Sequence, residues 1–167
     1  MNKQKNNPDL GFFELIEFVR ETYLKNRTIV SRDIPVIFDA IESITGTKLV
    51  RHRYPTGGEY STWIVPKQWD VVEAWLKDDK GNIIASYDDH PLFVSTYSKA
   101  VHQKLSKSEL MNHMYYEESQ PDAFAYNWRY AMDATLQLKD WGISLPLDVI
   151  NQLDDGPFEI KIDIETQ

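Results

Sequence analysis

The chain has 167 residues, of which 42% are hydrophobic and 13% aromatic, and its formal net charge is −8. A chain of this length buries a substantial core, and its tyrosine and tryptophan content is above that of disordered proteins. The acidic excess excludes the usual mode of nucleic-acid binding, which depends on clustered lysine and arginine releasing counterions from phosphate.

The sequence contains no cysteine, which excludes disulfides, thiolate nucleophiles and cysteine-based zinc sites. Residues 1–9 are polar and lack the apolar core of a signal peptide. No segment approaches the roughly 18 apolar residues that a membrane-spanning helix needs. We therefore expect a cytoplasmic protein whose partner is neither a membrane nor a nucleic acid.

Two amphipathic helices are predicted near the N-terminus. Apolar residues recur at helical spacing over residues 10–25, and Asp9 precedes them as a helix N-cap. A second helix is predicted to begin at Ser31 or Asp33. It is expected to end at Gly46, because glycine readily adopts the left-handed conformation that follows a helix.

Residues 48–105 are rich in valine, isoleucine, threonine and aromatic residues, and turn residues interrupt them at short intervals. This pattern predicts a small antiparallel β unit of about six strands. The predicted strands are residues 48–54, 60–65, 71–77, 83–87, 92–97 and 100–105.

Helical segments return after the β unit. One is predicted to start at Ser106 or Ser108, a helical or mixed segment covers residues 121–132, and a short helix covers residues 147–153. Residues 158–164 alternate apolar and charged side chains, which predicts a strand with one buried face. This order of helices, β unit, helices and strand predicts an α+β fold.

Several short motifs follow one another in a fixed order along nearly the whole chain. They are Asn26-Arg27-Thr28-Ile29-Val30-Ser31, Tyr54-Pro55-Thr56-Gly57-Gly58-Glu59, Trp63-Ile64-Val65-Pro66, Trp69, Asp79-Lys80-Gly81, His90-Pro91-Leu92, Tyr97-Ser98, Leu110 with His113, Pro121-Asp122-Ala123, Tyr126, Asp140-Trp141-Gly142-Ile143 and residues 158–163. A single motif of this kind has little specificity, but the ordered series resembles the bacterial aminopeptidase-like family labelled as polysaccharide-biosynthesis proteins.

The resemblance implies a division of the chain into two parts. Members of that family combine a zinc-aminopeptidase fold with an inserted β domain of unknown function. By this resemblance, residues 1–47 and 106–167 form part of the aminopeptidase-like α/β base, and residues 48–105 form the inserted antiparallel β domain. The implied substrate class is a peptide or an amino-sugar conjugate.

The chain departs from the family at positions that matter for metal chemistry. The family's zinc-binding motifs lie downstream of Gln167, Phe93 stands where the family commonly has histidine, and Ser144 stands where it commonly has cysteine. We therefore expect no bound zinc or other cofactor, no catalytic residue, and no peptide hydrolysis by the chain alone.

A carboxylate at Glu59 beside Trp63 and Trp69 would bind a substrate amine or sugar hydroxyls, whereas tryptophans in β modules more often pack in the core. Asp88 and His90 would share one strand face, where the acid orients the imidazole; the alternative is a turn in which the histidine caps the loop. The full predicted binding set is Glu59, Trp63, Trp69, Asp88, His90 and Tyr97.

Glu109 and His113 lie one helical turn apart and come closest to a local pair of metal ligands. A catalytic zinc needs three converging protein ligands, and pairs of this kind on helix surfaces are usually hydrogen-bonded or solvated. The sequence also has neither a Gly-x-Ser-x-Gly elbow nor a phosphate-binding glycine motif, which argues against serine hydrolases and nucleotide enzymes.

Three functions stay open on these grounds. The first is a non-catalytic N-terminal region of an aminopeptidase-like protein, whose β unit shapes a cleft for a peptide or an amino sugar. The second is a standalone interaction module that forms a homodimer or joins a separate catalytic subunit through an exposed strand edge at residues 158–164. The third is a metal-dependent hydrolase with an unrecognised site.

Overall fold

The computed structural model describes residues 11–126 and 140–167. It contains helices together with antiparallel strands, which confirms the predicted α+β class. The chain divides into two compact units, Met1–Gln68 and Trp69–Gln167. The predicted N-cap Asp9 and positions 127–132 of the predicted mixed segment lie outside the described residues. No helix in the described ranges is long and apolar enough to cross a membrane.

The first unit contains two helices and a small hairpin. Its elements are α1 (Phe12–Thr22), α2 (Ile34–Thr45), β1 (Glu59–Tyr60) and β2 (Trp63–Ile64). α1 begins after Gly11, whose backbone N–H donates to the Glu14 carboxylate at 2.7 Å. α2 ends at Gly46, which has a φ of 63°, so the predicted glycine stop is confirmed.

The connection between α1 and α2 is fixed by buried polar side chains. The Asn26 backbone N–H donates to the Asp33 carboxylate at 2.7 Å, and the Ser31 hydroxyl donates to the Asn26 carbonyl at 2.7 Å. The Thr28 N–H donates to the Asn26 side-chain oxygen at 3.0 Å. These bonds pair backbone groups of the connection that have no helical partner, so this motif has a structural role.

The prediction of a strand over residues 48–54 is wrong, because the backbone there runs without a strand partner. Glu42 of α2 instead accepts hydrogen bonds from Lys48 Nζ at 2.8 Å and from the Leu49 N–H at 3.0 Å, and it pairs with Arg51 at 3.1 Å. These contacts, first of all the Lys48 hydrogen bond, lower the pKa of Glu42 to about 2. One ionised carboxylate thus holds this segment against the end of the helix.

The second unit is built on a four-stranded antiparallel sheet in the order β4-β3-β8-β5. Its elements are β3 (Trp69–Lys77), β4 (Ile83–Ser86), a short 3₁₀ helix (Pro91–Phe93), β5 (Val101–Leu105), α3 (Lys107–Met111), β6 (Met114–Tyr115), β7 (Ile143–Ser144), α4 (Leu147–Ile150) and β8 (Phe158–Thr166). β6 and β7 form a separate parallel pair.

β8 lies inside the sheet. It pairs with β3 on one side, and its residues 158–162 pair with β5 on the other. The predicted exposed edge over residues 158–164 is therefore wrong for residues 158–162, because both sides of that backbone have ladder partners.

The same pairing determines where the unit boundary lies. The terminal strand obtains its hydrogen-bond partners from β3 and β5, so residues 69–105 and the strand belong to one unit. The observed division after Gln68 differs from the predicted one, which separates residues 48–105 from residues 106–167. The assignment of residues 1–47 and 106–167 to an aminopeptidase-like base stays a prediction.

β3 contains a bulge that changes which of its side chains face the core. The register against β8 shifts between Val71 and Glu73. Trp69 packs in the core before the shift, and Ala74 and Leu76 pack there after it, although an unbroken alternation would place them on opposite faces. The bulge therefore lets both halves of β3 contribute to one core.

The core of the second unit also includes the segments that follow the hairpin β3–β4. The prediction of a strand over residues 92–97 is wrong, because Pro91 opens a 3₁₀ helix in place of an extended segment. The largest fully buried side chains of the described chain are Phe93, Phe158, Leu76, Leu110, Ile143, Leu145, Ile160 and Ile162.

Candidate functional site

In the first unit, a glycine turn positions an aromatic hairpin. The Gly58 N–H donates to the Pro55 carbonyl at 3.0 Å, and Gly57 has a φ of 75°, which favours glycine at the third position of this turn. Val65 then closes the turn through hydrogen bonds with both glycines, at 2.9 and 3.0 Å. β1 and β2 follow from this closure, and the loop between them contains Ser61 with a φ of 59°.

Tyr60 and Trp63 are directly paired across this hairpin and therefore share one face. Their exposed fractions are 42% and 46%. The ring of Tyr54 meets the ring of Tyr60 edge-on at 4.9 Å. We call Tyr54, Tyr60 and Trp63 the hairpin aromatic patch, because together they form an exposed aromatic surface on one unit of the protein.

Glu59 does not lie on the same face as Trp63. It is paired with Ile64, and successive residues of a strand point to opposite faces. The predicted arrangement of a carboxylate beside Trp63 is therefore not formed, because the strand period directs the two side chains apart. Glu59 is an exposed carboxylate on the other face of the hairpin.

The remaining predicted binding residues lie in the second unit, where Trp69 and Tyr97 come together as structural residues. Trp69 is 3% exposed, and its indole N–H donates to the Ser98 carbonyl at 3.0 Å. Its ring lies 5.8 Å from that of Tyr97, which is half-buried and has a φ of 61°. Trp69 therefore packs in the core, as the alternative reading of the tryptophans predicts.

Asp88 and His90 follow the alternative prediction of a capped turn. Asp88 is exposed within a turn, in which the neighbouring Asp89 carboxylate accepts from the Ser86 N–H at 3.1 Å and its hydroxyl at 2.8 Å. His90 Nδ1 accepts from the Leu92 N–H at 3.1 Å and so caps the 3₁₀ helix. Asp88 is not the partner of the imidazole in this arrangement.

The imidazole of His90 also stacks on Phe124, with ring centroids 4.7 Å apart and planes within 8°. His113 is similarly placed: its ring stacks on Trp141 at 3.8 Å, and its Nδ1 lies 3.0 Å from the Trp141 carbonyl. Both rings therefore contribute packing and local hydrogen bonds in the second unit.

Glu109 does not form a ligand pair with His113. Its carboxylate accepts hydrogen bonds from the backbone N–H and the hydroxyl of Ser106, both at 2.8 Å, which is one half of a capping box for α3. The Ser106 backbone N–H is the main reason that the pKa of Glu109 lies below its usual value. Within residues 11–126 and 140–167, no group of three acidic or histidine side chains is arranged to hold a metal ion.

Ser144, which stands where the resembled family commonly has cysteine, is fully buried. Its hydroxyl accepts from the Ala125 N–H at 2.7 Å. Phe93, which stands where that family commonly has histidine, is also fully buried in the core. Both departures therefore place structural residues at positions that face the interior of the second unit.

A polar network on the outer face of the sheet was not predicted from the sequence. The Trp75 indole N–H donates to Glu73 at 3.0 Å, and Lys77 Nζ lies 3.8 Å from the centre of the same ring. Lys161 donates to Glu73, which lowers the pKa of Glu73 and raises that of Lys161. The alternation of β3 predicts which residues share this face, but the β3–β8 register was needed to bring them together.

The outer sheet face continues on β5. His102 Nε2 lies 2.9 Å from the Glu159 carboxylate, and this hydrogen bond is the main cause of the lowered pKa of Glu159. His102 also contacts Trp75 edge-on, with ring centroids 5.7 Å apart. These polar and charged groups pair across neighbouring strands, as is typical of a solvated sheet face.

The chain matches a family model and a named relative. The model of a domain of unknown function, DUF2172, matches residues 68–165. The chain is also 24% identical over 163 residues to a Clostridium acetobutylicum protein named for polysaccharide biosynthesis and an aminopeptidase-like domain, covering 98% of this chain and 36% of that protein.

The fold has a solved counterpart. A crystal structure from Clostridium acetobutylicum, of a protein named as a peptidase, matches with a TM-score of 0.80 at 24% identity, over 93% of this chain and 35% of that one. The chain thus spans about a third of the length of both relatives. The predicted resemblance to aminopeptidase-like proteins labelled for polysaccharide biosynthesis is confirmed, and the chain belongs to the DUF2172 family.

Proposed function

We propose that this chain is a non-catalytic part of an aminopeptidase-like protein, and that its hairpin aromatic patch forms part of a cleft for a peptide or an amino sugar. The observation that carries the proposal is the exposure of the paired rings Tyr60 and Trp63 on a hairpin that a glycine turn positions. The name of the relative supports the protein class, since that protein has an aminopeptidase-like domain.

The non-catalytic part of the proposal rests on the contacts of three of the four histidines. His90 caps a helix, His113 stacks on a tryptophan, and His102 pairs with Glu159 on the outer sheet face. A hydrolytic zinc centre needs three ligands that converge on one point. Imidazoles engaged in three separate local contacts support a structural role for this chain.

The chemistry of the patch favours ligands that carry an ammonium group. Aromatic faces attract cations, and they also pack against the apolar faces of sugar rings and peptide side chains. A peptide N-terminus and a protonated amino sugar share the ammonium group. Because Glu59 lies on the opposite face, recognition of this group would depend on Tyr60 and Trp63 and not on a carboxylate.

This proposal predicts that Trp63→Ala weakens binding of glucosamine or a leucine dipeptide to the full chain by about tenfold, as expected for loss of a central aromatic contact. The melting temperature should change little, because Trp63 is 46% exposed. Isothermal titration calorimetry with thermal unfolding measures both quantities. N-acetylglucosamine, which lacks the ammonium group, is the matched ligand and should bind more weakly.

Tyr60→Ala should reproduce the loss, whereas Tyr116→Ala is the matched control, since these tyrosines are 42% and 40% exposed. Glu59→Gln should leave binding unchanged. Equal affinities for wild type and Trp63→Ala would rule out the patch, and a loss confined to Glu59→Gln would assign recognition to the other hairpin face.

A second candidate function is an interaction module that joins another chain. The observation that favours it is the exposure of large apolar side chains on one helix. Phe12, Phe13 and Val19 of α1 are 72%, 82% and 53% exposed, which is far from the usual burial of such residues. Exposed apolar side chains of this size are typical of a surface that a partner covers.

A further inference from the structure

A groove runs between α1 and α2 in the first unit, with a volume of about 300 Å³. Phe13 and Phe18 of α1 and Ile44 of α2 supply its large apolar lining. Phe18 and Ile44 are half-buried, and Phe13 is 82% exposed. The groove therefore presents apolar surface that the two helices leave uncovered.

The α1 side of this groove is acidic. Glu14, Glu17 and Glu21 of α1 line it, and they are spaced so that they lie near one another along the helix. Arg20 is the basic residue of α1, and it pairs with Glu17 at 2.6 Å on the exposed surface. The groove thus combines a negative excess on α1 with apolar side chains.

We propose that this groove binds a basic amphipathic helix of a partner chain. A helix laid against two others buries its apolar stripe between them, and lysine or arginine at the edges of that stripe would meet the glutamates of α1. A second copy of this chain would bring the same glutamates to the same groove, so like-charge repulsion disfavours self-pairing here. This inference deepens the interaction-module candidate, on which it rests, by naming the partner's chemistry.

The probe for this proposal is a synthetic peptide of about 18 residues with leucines at helical spacing and lysines on both sides of the stripe. Fluorescence anisotropy with the full chain should show saturable binding in a one-to-one complex. A peptide with glutamate in place of each lysine should bind at least about tenfold more weakly.

Two variants with matched exposure test the location. Phe13→Ser should weaken binding of the lysine peptide by about tenfold or more, whereas Val50→Ser, also in the first unit, should leave it unchanged. The two side chains are 82% and 83% exposed, so neither change removes a buried residue. Glu21→Lys should reduce the preference for the lysine peptide over the glutamate peptide.

The proposal is overturned if no peptide binds, if both peptides bind equally, or if Val50→Ser and Phe13→Ser have the same effect. A homodimer in light scattering that Phe13→Ser dissociates would also overturn it, since a second copy would then occupy the groove. Such a homodimer would still support the interaction module. The experiment therefore distinguishes failure of the basic-helix proposal from failure of the interaction module. Neither outcome concerns the hairpin aromatic patch, whose test uses different variants.

Discussion

Replacing Trp69 with alanine is expected to lower the free energy of unfolding by about 3–5 kcal/mol, the range for truncating a buried tryptophan. Its indole is 3% exposed and packs against Tyr97, so the change would leave a cavity in the core of the second unit. The change also removes the hydrogen bond to the Ser98 carbonyl. Loss of that donor leaves a buried acceptor unpaired and adds to the effect.

Urea unfolding followed by circular dichroism measures this change, and Trp63→Ala is its internal control. Both variants remove one indole, but Trp63 is 46% exposed and should contribute less than about 1 kcal/mol. Similar losses of stability for both variants would contradict the assignment of one tryptophan to the core and the other to the surface.

Ile160→Ala is expected to lower the free energy of unfolding by about 2–5 kcal/mol. Ile160 is fully buried in the part of β8 that pairs with both β3 and β5. Shortening its side chain leaves a cavity between the sheet and the segments that cover it, and close-packed neighbours relax only partly into such a space.

The matched control is Ile83→Ala on the edge strand β4, where the side chain is 59% exposed. This variant should lose less than about 1 kcal/mol. Denaturant midpoints of the two variants at unchanged m-value give the comparison. A larger effect at Ile83 than at Ile160 would contradict the assignment of Ile160 to the core and of Ile83 to the surface.

Local patterns were sufficient to predict the elements whose signals lie within a few residues. The helical periodicity and Gly46 located α2, and the alternation of residues 158–164 located most of β8. Ser106 was predicted as a helix start, and its hydroxyl accepts from the Glu109 N–H at 3.4 Å. These signals act over one turn of helix or one strand, so a single sequence carries them.

Features set by contacts distant in sequence were not predicted. The residue types of 48–54 predict a strand, but Lys48 and the Leu49 N–H donate hydrogen bonds to Glu42 of α2 instead. The interior position of β8 depends on β3 and β5, which lie more than 50 residues earlier in the chain. The bulge between Val71 and Glu73 likewise appears only once β8 sets the register.

The residues of the candidate site also differ in how far local sequence signals describe their surroundings. The role of Trp63 as a binding residue stays a prediction, and its ring is exposed beside Tyr60. Proximity in sequence was misleading for Glu59, because the strand period sends its side chain to the opposite face. Residue type alone could not separate Trp69 from Trp63, since the core position of the former depends on Tyr97 and Ser98.

Zinc retention is the measurement that bears most directly on the non-catalytic role. The purified full chain is equilibrated with zinc, passed through a desalting column, and analysed for bound metal and for cleavage of an aminoacyl p-nitroanilide. We expect the protein to retain far less than one zinc per chain and to release no p-nitroaniline. Retention of about one zinc per chain together with cleavage would contradict this role, because a three-ligand catalytic centre would then have to exist within the chain.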